Sequence, residues 1–345
     1  MAVSPDFLGI GAQKAGTTWL YLNFASHPGI WLPKEKELHY FDEKRRLGRH
    51  PLRAKLFGDD KQDVRWRRQV QRQIKAQRKD FDLQDLTWNL RYFLRSPSDR
   101  WYRSLFRPGD GKVKGEITPD YSLLAPDEVA HVAELLPHAK IFFFMRNPIE
   151  RAWSHASMEL LRINEAPEEK ERKRAFRRHF RGRRSQLFTD YRRTLDTWSA
   201  HFPEEQIFVG FLEDVYHRPL QLLGRLYEYL GVDTPPRQPY ARRVVHSGSI
   251  PTMPTGMARL LAEIHGELID DLAARFGGHA AWWQYAARRL RDGYGGREIV
   301  YPFWETPLWR EWLTTGAPAG AQTSEEPKPP PVVSGPLSEL QASRA

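Results

Sequence analysis

Residues 9–22, GIGAQKAGTTWLYL, constrain the architecture more than any other stretch of the chain. Asp6 to Gly11 is a short apolar run that reads as a buried strand, and Trp19, Leu22 and Phe24 then fall at helical spacing in a segment stopped by His27-Pro28. GIWLP reads as a second short strand, so the chain opens as strand, glycine loop, helix, strand. The alternation returns downstream. KVKGEIT reads as a strand, APDEVAHVAELLP as a helix beginning near Asp127, AKIFFFMR as a buried strand, and PIERAWSHASMELL as a helix with Pro148 at its start. YRRTLDTWSAHF (helix), QIFVGF (strand) and RPLQLLGRLYEYLG (helix closed by Gly231) complete the series. Such alternation predicts βαβ units and a mostly parallel sheet covered by helices on both faces, with ligands at the carboxyl ends of the strands.

Two stretches interrupt this pattern. From Lys44 to Lys112 the chain is basic and aromatic, with helical spacing in VRWRRQVQRQIKAQRK, DLTWNLRYFL and SPSDRWYRSLF. We expect a helical insertion at about 44–112 packed on one domain over 1–313. From Thr314 onward there is no aromatic residue and the segment contains EEPKPPP, which predicts a disordered tail over 314–345. The chain has no cysteine, so no disulfide, thiolate nucleophile or cysteine-bound metal is available, and a reducing cytoplasm suits it. No run approaches the roughly 20 apolar residues that span a bilayer, and no basic segment leads into a long apolar one at the start; the expectation is a soluble, cytoplasmic protein without a membrane span. A formal net charge of +10 favours an anionic ligand without naming it.

The loop poses a chemical question. ATP-binding loops of the form G-x-x-x-x-G-K-[ST] place the lysine after the last glycine. Here Lys14 precedes Gly16. Gly11 and Gly16 let the backbone approach a ligand, and the helix start aims N–H groups and the Thr17 and Thr18 hydroxyls at one place, which suits a phosphate or sulfate. Lys14 adds a mobile positive charge on the rim. Alone, the same residues also describe an ordinary helix start with Thr17 as N-cap and Lys14 in solvent. KIFFFM then ends in Arg146, with Ser154 on the following helix, a pair able to clamp a second anion, although Arg146-Asn147-Pro148 also reads as a salt-bridged strand end. Taken together, the two loops imply a ligand with two separate anionic groups.

FLGIGAQKAGTTWLY, PKEKELHYFD, GEITPDYS and KIFFFMRNPIERAWSHA resemble, in order and placement, the successive motifs of sulfotransferases that use 3′-phosphoadenosine 5′-phosphosulfate (PAPS). The likeness is to the branch with heparan-sulfate-type and many bacterial sulfotransferases, and covers about residues 5–290 in patches. It implies a P-loop-like three-layer α/β fold with a central mostly parallel sheet flanked by helices. It also implies that Lys14, Ala15, Gly16, Thr17, Thr18 and Trp19 hold the 5′-phosphosulfate and that Arg146 and Ser154 bind the 3′-phosphate. The lysine's place then has a reason: the donor has no γ-phosphate for a Walker lysine to reach, and Lys14 beside the 5′-phosphate meets the oxygen on which charge develops. The resemblance further implies Glu37 as general base for the acceptor's hydroxyl or amine, and His39 in the active-site wall. Without the neighbouring motifs, KEKELHYFD with Glu35, Glu37, His39 and Asp42 reads equally as a charged surface turn.

Departures from the family pattern bear on the acceptor. Heparan-type relatives often carry lysine after the glutamate of GEITPDYS, where this chain has Ile117, so a sulfated glycan is less supported. RRVVHSGSIPTMPTG stands where the family has a basic loop closing over the nucleotide; Ser247, Gly248 and Ser249 are its donor-binding candidates, with Arg242 or Arg243 replacing the expected internal cation. EEKERKRAFRRHFRGRR fits recognition of a polyanionic acceptor or carrier, and more simply a solvated helix and lid. The resulting expectation is sulfuryl transfer from PAPS to a small-molecule, glycan or carrier-bound acceptor, with no metal and no nucleic acid. A P-loop nucleotide phosphotransferase would need the Walker lysine and a strand-end aspartate for Mg²⁺, whereas this strand ends in arginine. A non-enzymatic polyanion binder would survive loss of Lys14 and Arg146 and weaken steeply with salt.

Overall fold

The apolar runs become adjacent strands. In the computed structural model, which describes residues 3–42, 56–59, 61–79, 81–160, 168–243, 251–315 and 333–342, the first five strands are β1 (Phe7–Gly11), β2 (Ile30–Trp31), β3 (Val113–Ile117), β4 (Lys140–Met145) and β5 (Ile207–Phe211). They lie in the order β2-β3-β1-β4-β5, all pairs parallel, with Leu8 beside both Glu116 and Ile141. Every residue of β1 is buried, as are Ile141 to Met145 of β4, because helices cover both faces; this is why these strands read as continuous rather than alternating apolar runs. Phe7 of β1, Phe24 of the Thr17–Ala25 helix and Phe142 of β4 meet edge to face with ring centroids 5.3–5.7 Å apart. Each such ring contributes roughly 1.5–3 kcal/mol by burial.

β1 is the sheet's switch point: the chain leaves it toward β2 and β3 on one side, while β4 and β5 lie on the other. Ligand crevices open at such points, outside the carboxyl ends of the strands. The parallel arrangement carries the carboxyl ends of β1, β2, β3 and β4 to the same edge, where Lys14, Glu37, the GEITPDYS motif and Arg146 stand. The expected α/β architecture with a mostly parallel sheet between helices is therefore observed.

Helices at Lys61–Lys79, Leu83–Leu94 and Asp99–Ser104 occupy the interval expected to hold the insertion. Asp82 caps the second by accepting from Gln84 N, and Ser98 caps the third by accepting from Trp101 N. Trp88 and Trp101 are buried, with their indole N–H groups donating to the Leu105 and Arg91 carbonyls. A two-stranded antiparallel ribbon, β6 (Thr252–Pro254) and β7 (Glu298–Val300), precedes the Pro307–Thr315 helix. Among the described residues no helix is long and apolar enough to cross a membrane.

The disordered tail expected from Thr314 onward needs correcting for residues 333–342. Gly335–Pro336 (β8) pairs antiparallel with β5, and Leu337–Ala342 is a helix whose Leu337 is buried. Proline is tolerated there because β8 is an edge strand and needs no donor on its outer side. The segment is pinned by Asp214, whose Oδ2 accepts from Ser334 N at 2.8 Å and Ser334 Oγ at 2.6 Å while Oδ1 faces His279 Nε2 at 2.8 Å. Burial alone would raise the Asp214 pKa, but His279 and the Ser334 bonds outweigh it and hold it below the usual value; burial would lower His279, but Asp214 raises it.

The signs set a pH window. The depressed Asp214 contributes stability above its unfolded pKa and loses it as pH falls; the raised His279 contributes below its unfolded pKa and loses it as pH rises through the folded one. Docking of residues 333–342 is therefore tightest between about pH 4 and 6.5 and weakens toward alkaline pH. We expect Asp214→Ala to lower unfolding free energy by about 3–5 kcal/mol, because it breaks a buried pair and leaves His279 and the Val333 and Ser334 donors without their acceptor, and to speed amide exchange in 333–342. Unchanged exchange in that segment would contradict the assignment.

Candidate active site

The loop after β1 is shaped by two glycines. Gly16, at φ 91°, caps the Thr17–Ala25 helix in the left-handed region, and Gly11, at φ 145°, sits where a Cβ would come within 3.1 Å of Ser122 Cβ and 3.3 Å of the Pro119 carbonyl. The first-turn amides of Thr17, Thr18 and Trp19 donate to no backbone carbonyl among the described residues, the usual state of a helix start and the basis of its affinity for anions. Ala15 is buried, which leaves its backbone as the part that can meet a ligand. Trp19 is a core residue: its ring is buried and its Nε1 donates to the Ala241 carbonyl at 2.8 Å, so only its amide is available to the loop. The Lys14 ammonium lies 3.8 Å from Met158 Sδ, a weak acceptor.

The residues expected to form a second anion clamp lie against the same loop. Arg146 is buried at the end of β4; its Nη1 donates to the Lys14 carbonyl at 3.2 Å and its Nε to Glu150 at 3.3 Å. This ties the clamp directly to the loop. Tyr301, from the segment after β7, covers Arg146 with its ring centroid 5.0 Å from the guanidinium carbon. Burial raises the pKa of its hydroxyl, and Arg146 and Ser154 beside it oppose the rise, so both residues lie next to a tyrosine that no sequence motif singled out. Burial raises the Glu150 pKa, opposed by Arg146 and by the Phe303 amide.

The segment after β2 lies against the same loop. Lys36 Nζ donates to Thr18 Oγ1 at 3.0 Å and to Glu37 Oε1 at 2.9 Å, so one ammonium bridges the helix start and the candidate base. His39 stands between two carboxylates, with Nδ1 2.8 Å from Asp42 Oδ2 and Nε2 3.8 Å from Glu37 Oε2. Lys36 is the other residue that motif reading missed, although its signal was in plain view in PKEKELHYFD. Asp120, its pKa raised by burial against the pull of Arg184 and His39, pairs with Arg184 on the same side.

Backbone conformation singles out the same residues. Among the described residues, the non-glycine residues with positive φ are Lys14 (72°), Glu37 (66°) and His39 (54°). Each such conformation costs about 1–3 kcal/mol and persists only where the surroundings enforce it. For Glu37 and His39 the enforcement is visible: between them Leu38 is buried and its amide donates to Glu116 Oε2 at 3.3 Å, while the Tyr40 amide, just after His39, donates to the Tyr121 hydroxyl at 3.1 Å. Glu116, fully buried at the end of β3, also accepts from Tyr102, Thr118 and Tyr121, at 2.6, 2.7 and 2.9 Å. Burial raises its pKa and these donors oppose the rise. Glu116 is therefore the anchor of the Glu37 segment rather than a group facing a ligand.

Ser247, Gly248 and Ser249 lie outside the described residues. Arg242 and Arg243 are exposed, the latter 5.6 Å over the Tyr240 ring. In the basic stretch, the Glu169–Arg181 helix buries Phe176 and Phe180 and turns most of its cations to solvent, as a solvated helix does.

The chain's sequence matches the profile of the sulfotransferase family over residues 5–236. A curated relative, the membrane-associated sulfotransferase kil1 of Dictyostelium discoideum, is 26% identical over 165 residues, 47% of this chain and 25% of that protein; the chain thus spans about a quarter of that relative's length. Among solved structures, a sulfotransferase from Alicyclobacillus acidocaldarius is similar at 22% identity over 78% of this chain and 94% of its own, with a TM-score of 0.47. The sulfotransferase STF9 from Mycobacterium avium is similar at 13% identity over 79% of this chain and 77% of its own, with a TM-score of 0.46.

Proposed function

Because the chain belongs to the sulfotransferase family, we propose that it transfers the sulfuryl group of PAPS to a hydroxyl or amine of a small-molecule, glycan or carrier-bound acceptor. The observation that carries the residue assignment is the coincidence of backbone strain with the motif: Lys14, Glu37 and His39 alone among the described non-glycine residues hold positive φ, and they border one anion loop. In this reading the amides and hydroxyls of Thr17 and Thr18 receive the 5′-phosphosulfate, and Arg146 with Ser154 receives the 3′-phosphate.

The acceptor oxygen or nitrogen forms a new bond to sulfur as the bond between sulfur and the bridging phosphate oxygen breaks. The acceptor's proton passes to the Glu37 carboxylate. The bonding pair stays on the phosphate, and Lys14, with Lys36 nearby, meets the charge that develops there. His39 and Asp42 hold the Glu37 side of the site. Positioning and electrostatics suffice for such a displacement, as in phosphoryl transfer.

Arg146 gives the test. A charge-assisted contact to the 3′-phosphate is worth about 1.5–3 kcal/mol, so the desulfo product 3′-phosphoadenosine 5′-phosphate (PAP) should bind roughly 10–100-fold tighter than ADP by calorimetry without divalent metal. Equal affinity for ADP and PAP would overturn the assignment.

A further inference from the structure

A cluster outside this site has the composition of a metal centre. His155 and Glu159 stand one turn apart on the Pro148–Leu160 helix, and His179 reaches them from the Glu169–Arg181 helix. His155 Nε2 is 3.3 Å from Glu159 Oε1, His179 Nδ1 is 3.4 Å from Glu159 Oε2, and His155 Nδ1 faces His179 Nε2 at 3.2 Å. One donor atom from each residue lies within 4.8 Å of the others. Tetrahedral ligands on zinc, at about 2.0–2.1 Å from the ion, stand about 3.3 Å from one another.

The one hydrogen bond among these contacts joins the two imidazoles, while the Glu159 carboxylate stands at ion-pair distance from a ring nitrogen of each histidine, so two imidazoles and a carboxylate converge on one place. Neutral imidazoles are the form that binds metal.

We propose that His155, Glu159 and His179 bind one divalent transition-metal ion, zinc by the donor set, and so staple the basic helix to the helix that carries Ser154. Three protein ligands leave a coordination position for water, and Glu159, with its side chain 49% exposed, lies on the open side. The cluster borders the candidate active site: Ser154 precedes His155, and Met158, 3.8 Å from the Lys14 ammonium, precedes Glu159.

Cobalt(II) is a direct probe. Titration of the untagged full-length chain with Co²⁺ should produce d–d absorption that saturates at one ion per chain and is abolished by equimolar Zn²⁺. Glu159→Gln, a partly exposed and volume-conserving change, should weaken Co²⁺ binding about tenfold or more, and His179→Ala should remove the signal; His138→Ala, at an exposed histidine elsewhere, should leave it intact. Absence of the signal in the wild-type chain, or its persistence at full strength in Glu159→Gln and His179→Ala, would overturn the proposal.

Discussion

Replacing Glu37 with glutamine should lower kcat by about 10²–10⁴-fold, the range for a general base, while PAP affinity stays within roughly twofold. The expectation follows from what the substitution keeps. The glutamine side chain would fill the same volume, and its carbonyl oxygen would still accept from Lys36, which donates to Glu37 at 2.9 Å in the native chain. The left-handed backbone at 37 is enforced by Leu38 and Tyr40 through Glu116 and Tyr121, so the loop should not relax. What is lost is the capacity to take a proton. Calorimetry with PAP and steady-state transfer kinetics separate the two quantities. A drop in PAP binding as large as the drop in kcat would make Glu37 a donor-site residue, and an unchanged kcat would remove it from the reaction.

The parts of the site that were legible in the sequence are those made by contiguous residues. β1 and β4 are buried on both faces, so their apolar runs are unbroken and the loops at their carboxyl ends are easily placed; the positions of Lys14, Thr17, Thr18 and Arg146 at that edge follow from this, while their roles rest on the family resemblance. Tyr301 was not legible because it reaches Arg146 from 155 positions away along the chain, on a segment whose placement depends on the β6–β7 ribbon. The last strand was hidden for a different reason. A Pro-rich composition argues against a core, but β8 needs little apolar burial: it rests on ladder bonds to β5 and on one buried carboxylate, Asp214, which accepts from the Val333 amide and from both the amide and the hydroxyl of Ser334. Polar docking of this kind leaves no periodicity to read. Trp19 was legible as a helix residue, and its core role follows from the same spacing that predicted the helix.

Lys14→Ala should lower kcat by about 10²–10³-fold, the loss seen when one preorganised donor to a developing anion is removed, with PAP affinity falling less than roughly tenfold. The asymmetry comes from where the charge is needed. In the ground state the phosphosulfate can be held by the helix-start amides, the Thr17 and Thr18 hydroxyls and Lys36, which already donates to Thr18 Oγ1 at 3.0 Å. When the sulfur–oxygen bond breaks, negative charge moves onto the bridging oxygen, and a cation beside that oxygen acts on the transition state more than on the bound donor. Lys14 is suited to this because it stands in the loop after β1, beside the helix start whose amides would hold the phosphosulfate. Lys14→Arg should recover only part of the rate: a planar guanidinium keeps the charge but not the compact shape, on a backbone held at φ 72° beside the Arg146 contact to its own carbonyl. If Lys14→Ala instead lost PAP binding in proportion to kcat, the lysine would be holding the nucleotide, and its position before Gly16 would need another explanation than the leaving oxygen.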